Sequence, residues 1–487
     1  MSRLHRLLAA AAAATLLAGC AHSPVGPDHV APATLSPAQA ASAGPFLSAA
    51  GNATDADLPP SWWHLYQDPL LDALVDQAFA HNTDLRQAIA SFEREQALEA
   101  EVRGSQRPTV ALNGGPGFGH VSGLTLVQRD YEPPGRFTYG AGANLSYQLD
   151  LFGQLHRAIE AAEAGSGAAQ AAVDLVRVNV AGGTARAYAE VCTTGLRLRS
   201  AHASVRLQEE AVQLAQRLQQ AGKVGTIDTA RARGQLELLR ASLPPLQAQR
   251  QNALYRLATL TGAAPRDFPA QVAGCERPPR TAAPLPVGDG ASLLRRRPDV
   301  RQAERSLAAA TARIGVATAE LYPKVVLGLS AGSAGFLNRF GNRESLSYSL
   351  GPLISWTLPT NGVARARIAQ AEAATRQAAA RFDATVLTAL REAEIALESY
   401  ARELDRHAAL AAARDQSAAV ARQARTLYVN GKTAQLDALD AMRTLAASEA
   451  ALAASQAQLA DDQLAVFMAL GGGWESHGQD VLAKAAP

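Results

Sequence analysis

The sequence predicts a membrane protein of mixed α and β structure, in which short lipid-facing strands feed very long helices that stay in water. Three observations carry this prediction. Residues 137–150 alternate without a break: Phe137, Tyr139, Ala141, Ala143, Leu145, Tyr147 and Leu149 hold the odd positions, and Thr138, Gly140, Gly142, Asn144, Ser146, Gln148 and Asp150 the even ones. That is the period of a strand with one apolar and one polar face. Next, residues 153–220 contain no proline and are rich in Ala, Leu, Arg and Gln, which are good helix formers. About 68 residues at roughly 1.5 Å each make a helix near 100 Å long. Finally, both features recur further along the chain at a fixed offset.

The N-terminus sets the compartment. Arg3 and Arg6 precede a short apolar run at 7–17, which reads as a signal peptide covering residues 1–19 and too short to span a bilayer. It ends in Leu17-Ala18-Gly19-Cys20, which resembles a bacterial lipobox and implies cleavage before Cys20 with lipid on its sulfur and on the new N-terminus. The alternative is an ordinary Ala-rich signal with an incidental cysteine. Ala21 follows, and the pattern resembles outer-membrane sorting; multiple acyl chains suffice for stable anchoring. No later stretch offers about 18 consecutive strongly apolar residues, so no transmembrane helix is expected. The formal net charge of +2 argues against a nucleic-acid partner. The mature chain keeps Cys192 and Cys275 in an oxidising compartment, where a disulfide can form.

Residues 20–57, rich in Ala, Pro, Ser and Gly, read as a flexible tether from the lipid. Asp68-Pro69 starts a helix with Leu70, Leu71, Leu74, Val75, Ala78 and Phe79 on one face. Asn82-Thr83-Asp84 caps the next, which runs to about Gly104. Pro108 opens a strand with Val110 and Leu112 on one face, and a Gly-rich loop leads to the alternating strand.

The two halves of the chain match. Asp84-Leu85-Arg86-Gln87-Ala88 corresponds to Asp299-Val300-Arg301-Gln302-Ala303 at an offset of 215, as does Pro108 to Pro323. From Tyr139 and Tyr348 onward the offset is 209, and it holds for Gly153 and Gly362, Gly222 and Gly431, Asp228 and Asp437, and Gly262 and Gly471. Fixed offsets over this length indicate an internal duplication. The first repeat covers 58–262, with a β-hairpin at 108–150, a long helix at 153–220 and a return helix at 228–262. A linker at 263–290 leads to the second repeat at 291–471, with a helix at 298–321, a β-hairpin at 323–358, a long helix at 362–429 and a return helix at 436–470. Residues 472–487 form a C-terminal tail.

In the second repeat Leu346, Tyr348, Leu350, Pro352, Ile354, Trp356 and Leu358 alternate with a mostly serine set that only Leu353 breaks. Two hairpins give four strands, which cannot close a barrel, and an open edge in lipid is not viable. The smallest outer-membrane barrels have about eight strands, so the chain must oligomerise, most simply as a ring of identical subunits. The long helices are Ala-rich but not apolar throughout. A coiled-coil spacer explains them alone, but it leaves the strands and the signal without a purpose. A ring of long helices hanging from a barrel is a conduit.

Several stretches carry a family resemblance: the lipobox, Trp62-Trp63 with Asp68-Pro69, Leu293-Leu294-Arg295-Arg296-Arg297-Pro298-Asp299-Val300, Ala303-Glu304, Ala312-Arg313-Ile314-Gly315-Val316, Pro323, Gly431 with Leu436-Asp437-Ala438-Leu439-Asp440-Ala441, and Ala469-Leu470-Gly471-Gly472-Gly473-Trp474. Together these resemble the TolC-like outer-membrane efflux family (outer membrane factors), in the lipoprotein NodT-type branch that serves resistance-nodulation-division efflux systems. The match covers roughly residues 58–475. The resemblance implies a homotrimer with one 12-stranded β-barrel, a 12-helix periplasmic tube and an equatorial region around the tube. It implies an exit duct of a tripartite pump for small toxic compounds, working with a periplasmic adaptor (membrane fusion) protein and an inner-membrane pump. The outer membrane of a Gram-negative bacterium is the implied location.

Candidate site residues follow from the repeat and the resemblance together. Asp437 and Asp440, at i and i+3 past the second turn, match acidic residues that face the closed periplasmic end in the family. Rings of Asp favour cations; helix N-capping is the plain alternative. Leu436 matches an apolar constriction and Tyr428 a position that helps latch the closed tip, although Thr433 stands where a basic latch partner is expected. Gly222, Gly225, Asp228 and Gly431 mark the turns that are candidate adaptor-contact tips, or plain helical hairpins with Gly at the C-cap. Cys192 lies about 30 residues, or roughly 45 Å of helix, before the tip, and the return helix climbs a similar height before Cys275, so the two can pair.

Other motifs carry less. Arg295-Arg296-Arg297 reads as a solvated or paired cluster at a helix start, and Gly114-Gly115-Pro116-Gly117 lacks the Lys-Ser/Thr of a phosphate loop. The histidines show no metal-ligand spacing, no cofactor motif stands out, and no nucleophile–base constellation is evident, so the chain is not expected to be an enzyme. A type I protein secretion duct and a structural envelope lipoprotein are the competing functions.

Overall fold

The computed structural model describes residues 24–31, 44–48, 53–120, 134–281, 284–358 and 361–475. The signal peptide, Cys20 and residues 476–487 of the tail lie outside them. In chain order the elements are β1 (Ala53–Thr54), α1 (Pro69–His81), α2 (Thr83–Gly104), β2 (Thr109–Gly119), β3 (Arg136–Leu149), α3 (Gln154–Gln220), α4 (Thr226–Ala241), α5 (Leu243–Leu260), β4 (Leu285–Pro286), α6 (Gly290–Arg296), α7 (Pro298–Ala319), β5 (Lys324–Phe336), β6 (Leu346–Ser355), α8 (Val363–Val429) and α9 (Gln435–Ala469). They group into two units. One comprises Met1–Pro32, Glu93–Ala168 and Ala303–Arg381; the other comprises Ala33–Phe92, Ala169–Gln302 and Phe382–Pro487.

The first unit holds a four-stranded sheet in the order β2-β3-β5-β6, antiparallel at every pairing. Directly opposed residues share a face, and the register keeps the two sets largely apart, with Ser333 opposite Ala141 and Leu346 on the apolar side and Phe336 opposite Thr138 on the polar side. Leu112 opposes Ala143, Leu145 opposes Leu329 and Leu329 opposes Leu350, so the apolar positions of four strands form one continuous face. Much of that face is bare, with Leu112 79% and Leu350 77% exposed, while Tyr139 is buried against Phe340. The other face is polar, with Asn144 donating to Asn113 at 3.1 Å and Ser330 bonded to Ser349 at 2.8 Å. Leu353, the one apolar residue among the serines of β6, stands opposite Val326 on that polar side. The outer edges of β2 and β6 are unpaired among the described residues.

Asp150 belongs to the helix rather than to the strand wall. It lies past the end of β3, and its carboxylate accepts from Leu155 N–H at 3.1 Å and His156 N–H at 2.8 Å, capping α3. The period-2 pattern includes it only because a polar cap happens to fall on the polar parity.

The segment expected to be a flexible tether is held down in its described parts. Val25 N–H donates to the Phe152 carbonyl at 3.2 Å. The Arg157 side chain, 3% exposed, donates to the carbonyls of Val25 at 3.1 Å and Gly26 at 3.2 Å and to Asp28 at 2.6 Å. A buried guanidinium carries five N–H donors that need acceptors, and the strap supplies most of them. In the second unit Leu47 and Ser48 N–H both donate to Glu394, and β1 pairs in parallel with β4.

The second unit is built around aromatic side chains of the double-tryptophan segment. Trp62 stacks on Phe467 at 4.8 Å and donates to the Gly472 carbonyl at 3.2 Å. Trp63, Leu71, Val75, Leu257, Leu293 and Leu464 complete the core. Asp68 caps α1 at Leu70 N–H, 3.0 Å, and Asn82 caps α2 at Asp84 N–H, 2.9 Å, as their residue types predict.

The expected single return helix 228–262 is two helices. The break falls at Ser242, just before Pro244 and Pro245, because proline supplies no N–H for the ladder. Its counterpart α9 has no proline and runs unbroken for 35 residues. The helix expected at 298–321 stops at Ala319, and the chain tightens through Glu320 N–H to the Ala317 carbonyl at 3.3 Å and Leu321 N–H to the Thr318 carbonyl at 3.1 Å before Pro323. Among the described residues no helix is long and apolar enough to cross a membrane.

Candidate functional site: the hairpin tips and the strand wall

Each 67-residue helix ends in the same turn. Gly222 has φ +68° and Gly431 φ +70°, the left-handed region where glycine carries no Cβ penalty. Gly222 N–H donates to the Gln219 carbonyl at 3.0 Å and Lys223 N–H to Leu218 at 2.9 Å. In the second turn Gly431 N–H donates to Tyr428 and Lys432 N–H to Leu427, both at 2.9 Å. These are the paired bonds of the Schellman motif.

The helices that leave the turns start differently. Gly225 precedes α4, and its N–H donates to the Asp228 carboxylate at 3.3 Å. At α9 the hydroxyl of Thr433 donates to the Asp437 carboxylate at 2.6 Å. Thr433, standing where a cationic latch partner was expected, thus serves the helix start. Asp437 has an N-terminal helix role, whereas Asp440 stays exposed beyond it. Leu436 is 61% and Tyr428 37% exposed. Ala438 and Leu439 turn the other way and are buried, with Leu439 packed on Ala211 and Leu214 of α3. Ala438 and Leu439 therefore form the packed side of α9, Asp437 and Asp440 are exposed, and Leu436 stands at the cavity between the helices.

A cavity of about 710 Å³ runs between α3, α4 and α9, lined by Leu214, Leu218, Leu239, Leu436 and Leu439 among others. Gln208, 1% exposed, bridges it. Its amide donates to the Ala232 carbonyl at 2.8 Å and accepts from Arg443 Nε at 3.0 Å. Sequence reading missed this link, because a glutamine within an Ala- and Gln-rich helix carries no local signal of burial.

Arg297 of the arginine triplet is paired. It meets Asp299 at 2.6 Å, Glu392 at 2.8 Å and the Ala469 carbonyl at 2.9 Å. Burial alone pulls the guanidinium pKa down, but the carboxylates of Asp299 and Glu392 outweigh it and hold it above its ordinary value. Cys192 and Cys275 form a disulfide. Among the described residues no three His, Cys, Asp or Glu side chains are grouped to hold a metal ion.

A bare apolar sheet face with polar residues behind it, joined to helical hairpins of this length, defines a channel-forming protein of the bacterial outer membrane. The comparisons with known proteins agree. The profile of the family described as "Outer membrane efflux protein" matches residues 74–263 and again 291–472, and the chain belongs to that family. Nodulation protein T of Rhizobium leguminosarum bv. trifolii is 30% identical over 460 residues, covering 94% of this chain and 96% of the relative. The solvent efflux pump outer membrane protein SrpC of Pseudomonas putida is 30% identical over 481 residues, with 94% and 96% covered. Among solved structures, the outer-membrane channel OprN superposes with a TM-score of 0.84 at 33% identity, covering 92% of this chain and 99% of that one. The protein is an outer-membrane efflux channel.

Proposed function

We propose that three copies of the chain close one barrel and act as the passive exit duct of a tripartite efflux pump. The observation that carries this reading is the four-stranded sheet with one largely bare apolar face and, among the described residues, two unpaired edges. Lipid cannot satisfy the backbone groups of those edges, so other copies must. Two copies make eight strands, a barrel whose interior side chains fill it or leave room for one small ligand. Three make twelve, with a lumen walled by Asn113, Asn144, Ser330 and Ser349. The paired family matches and the repeated offsets support an internal duplication in which each half supplies one hairpin and two helices of a periplasmic tube.

The duct performs no covalent chemistry, and its driving force comes from partners. These are a periplasmic adaptor, engaging the turns at Gly222, Gly225, Asp228 and Gly431, and an inner-membrane pump of the resistance-nodulation-division class. Small toxic organic compounds are the proposed cargo, in line with the solvent and toluene efflux proteins of Pseudomonas putida among its relatives. Lipid on Cys20 adds a second membrane attachment. Asp437, Asp440, Leu436 and Tyr428 form the periplasmic gate. Native mass spectrometry of the purified protein should give a trimer, and planar-bilayer recording should give one conductance per trimer. A monomer or dimer that conducts, or a trimer that does not, overturns the reading. Loss of the gene should sensitise the cell to organic solvents.

A further inference from the structure

We infer that the protein is a client of periplasmic thiol oxidation, and that closure of Cys192–Cys275 is a step in its folding taken through Cys275. The sequence contains three cysteines, Cys20, Cys192 and Cys275, so the two in the body of the chain have no competing partner there. Cys192 sits within α3 and is fully buried beside the core that holds Trp63, Leu254 and Val272. Cys275 lies in the connector after α5 and is half-buried.

Non-covalent contacts bring the connector to the helix. Arg250 donates to the carbonyls of Ala273 and Cys275, Arg199 pairs with Glu276 at 3.3 Å, and Val272 is fully buried. Gly195, one turn after Cys192, has no side chain, and a Cβ there would collide with the Cys275 carbonyl. The Cα atoms of the two cysteines come within 4.6 Å, inside the range a disulfide needs. The bond spans 83 residues. Inside that span lie the end of α3, the Gly222 turn, α4 and α5, so one bond closes the whole first tip hairpin at its base. The second hairpin, α8 with α9, contains no cysteine.

The burial difference sets the order of events. As the connector docks, the Cys275 thiolate is the one that a protein-sized oxidant can reach. It attacks one sulfur of the oxidant's disulfide, forming a mixed disulfide and expelling the oxidant's other sulfur as a thiolate. The Cys192 thiolate then attacks the Cys275 sulfur, so the Cys192–Cys275 bond forms and the mixed bond breaks. The chain loses two electrons and two protons, and the oxidant leaves as a dithiol. The required co-reactant is a periplasmic disulfide-bearing thiol oxidase. Closing so long a loop removes much of the freedom of the unfolded chain.

The test compares the full-length chain and its Cys192→Ser/Cys275→Ser variant in cells with and without that oxidase, by thiol labelling of denatured protein and by abundance in the outer membrane. Without the oxidase the wild-type chain should label at two sites and fall several-fold in amount, while the variant should be equally scarce in both strains. Cys192→Ser alone, with Cys275 free, should trap a mixed disulfide with the oxidase, and Cys275→Ser should not. Should the variant fail to accumulate at all, labelling of the wild-type chain still decides. Two free thiols in oxidase-positive cells, unchanged labelling after oxidase loss, or trapping through Cys192 instead would each overturn the inference.

Discussion

Gly222 and Gly431 show how much a single residue decides at the tips. Both hold φ near +70°, and a side chain there costs about 1–2 kcal/mol through the Cβ–carbonyl clash. The cost falls locally, since the tips carry few buried side chains. Gly222→Ala should therefore speed amide exchange at Lys223, whose N–H closes the turn on Leu218, by roughly tenfold, while the melting temperature barely moves. Hydrogen exchange read by mass spectrometry checks this. Asp462 is a second case. Burial raises its pKa above the ordinary 3.8, Gln458 draws it down in part, and the neighbouring carboxylates Asp461 and Glu403 push it up again. A carboxyl raised on folding stabilises while protonated: that contribution is complete below 3.8 and is lost as pH rises through the elevated folded value. Asp462→Asn keeps the acceptor for Gln458, at 2.8 Å in the wild type, and cannot ionise. The variant should melt progressively higher than the wild type as pH climbs from about 4 to 7, and the two should converge in acid. Parallel melting curves across that range would show that Asp462 ionises without penalty.

At the scale of elements, strands are more legible in the sequence than helix interruptions. A strand's two faces are written locally, by parity, so the alternation from Phe137 to Leu149 and from Leu346 to Ile354 placed nearly every residue on its observed side. Asp150 fits the parity but belongs to the helix, because a helix start also wants a carboxylate. The break at Ser242 is written locally in Pro244-Pro245, whereas the repeat argues for one helix because its other copy is unbroken. The docking of residues 24–31 on Arg157 and the Gln208–Arg443 link were not legible at all, since each depends on partners more than 100 residues away. The parity makes a sharp prediction. Leu350→Arg puts a cation on the apolar face and should cost about 2–4 kcal/mol at mid-membrane, seen as loss of heat-stable oligomer from outer-membrane fractions. Ser349→Arg, its neighbour on the other face, should assemble normally and reduce cation conductance. Equal assembly of both variants would mean that the apolar face does not meet lipid.

For the molecule as a whole, the proposed three-fold assembly would multiply whatever each tip presents. One α9 offers Asp437 and Asp440, both exposed; the proposed trimer would bring six carboxylates around a common axis. Such rings admit cations, repel anions and resist closing further than their mutual repulsion allows. The two positions are not equivalent, however. Asp437 is engaged with Thr433 at 2.6 Å, so its removal also loosens the start of α9, whereas Asp440 can be changed without touching that bond. Asp440→Ala alone should lower cation selectivity in a planar bilayer with little change in the closed fraction. Asp437→Ala with Asp440→Ala should in addition leak, because both the ring and the helix start are weakened. Thr433→Val separates the two effects: it frees the Asp437 carboxylate without removing charge, and should raise the leak while keeping the selectivity of the wild type. If the double variant conducts and selects as the wild type does, the carboxylates form no gate, and the gate must be sought among the apolar residues around Leu436.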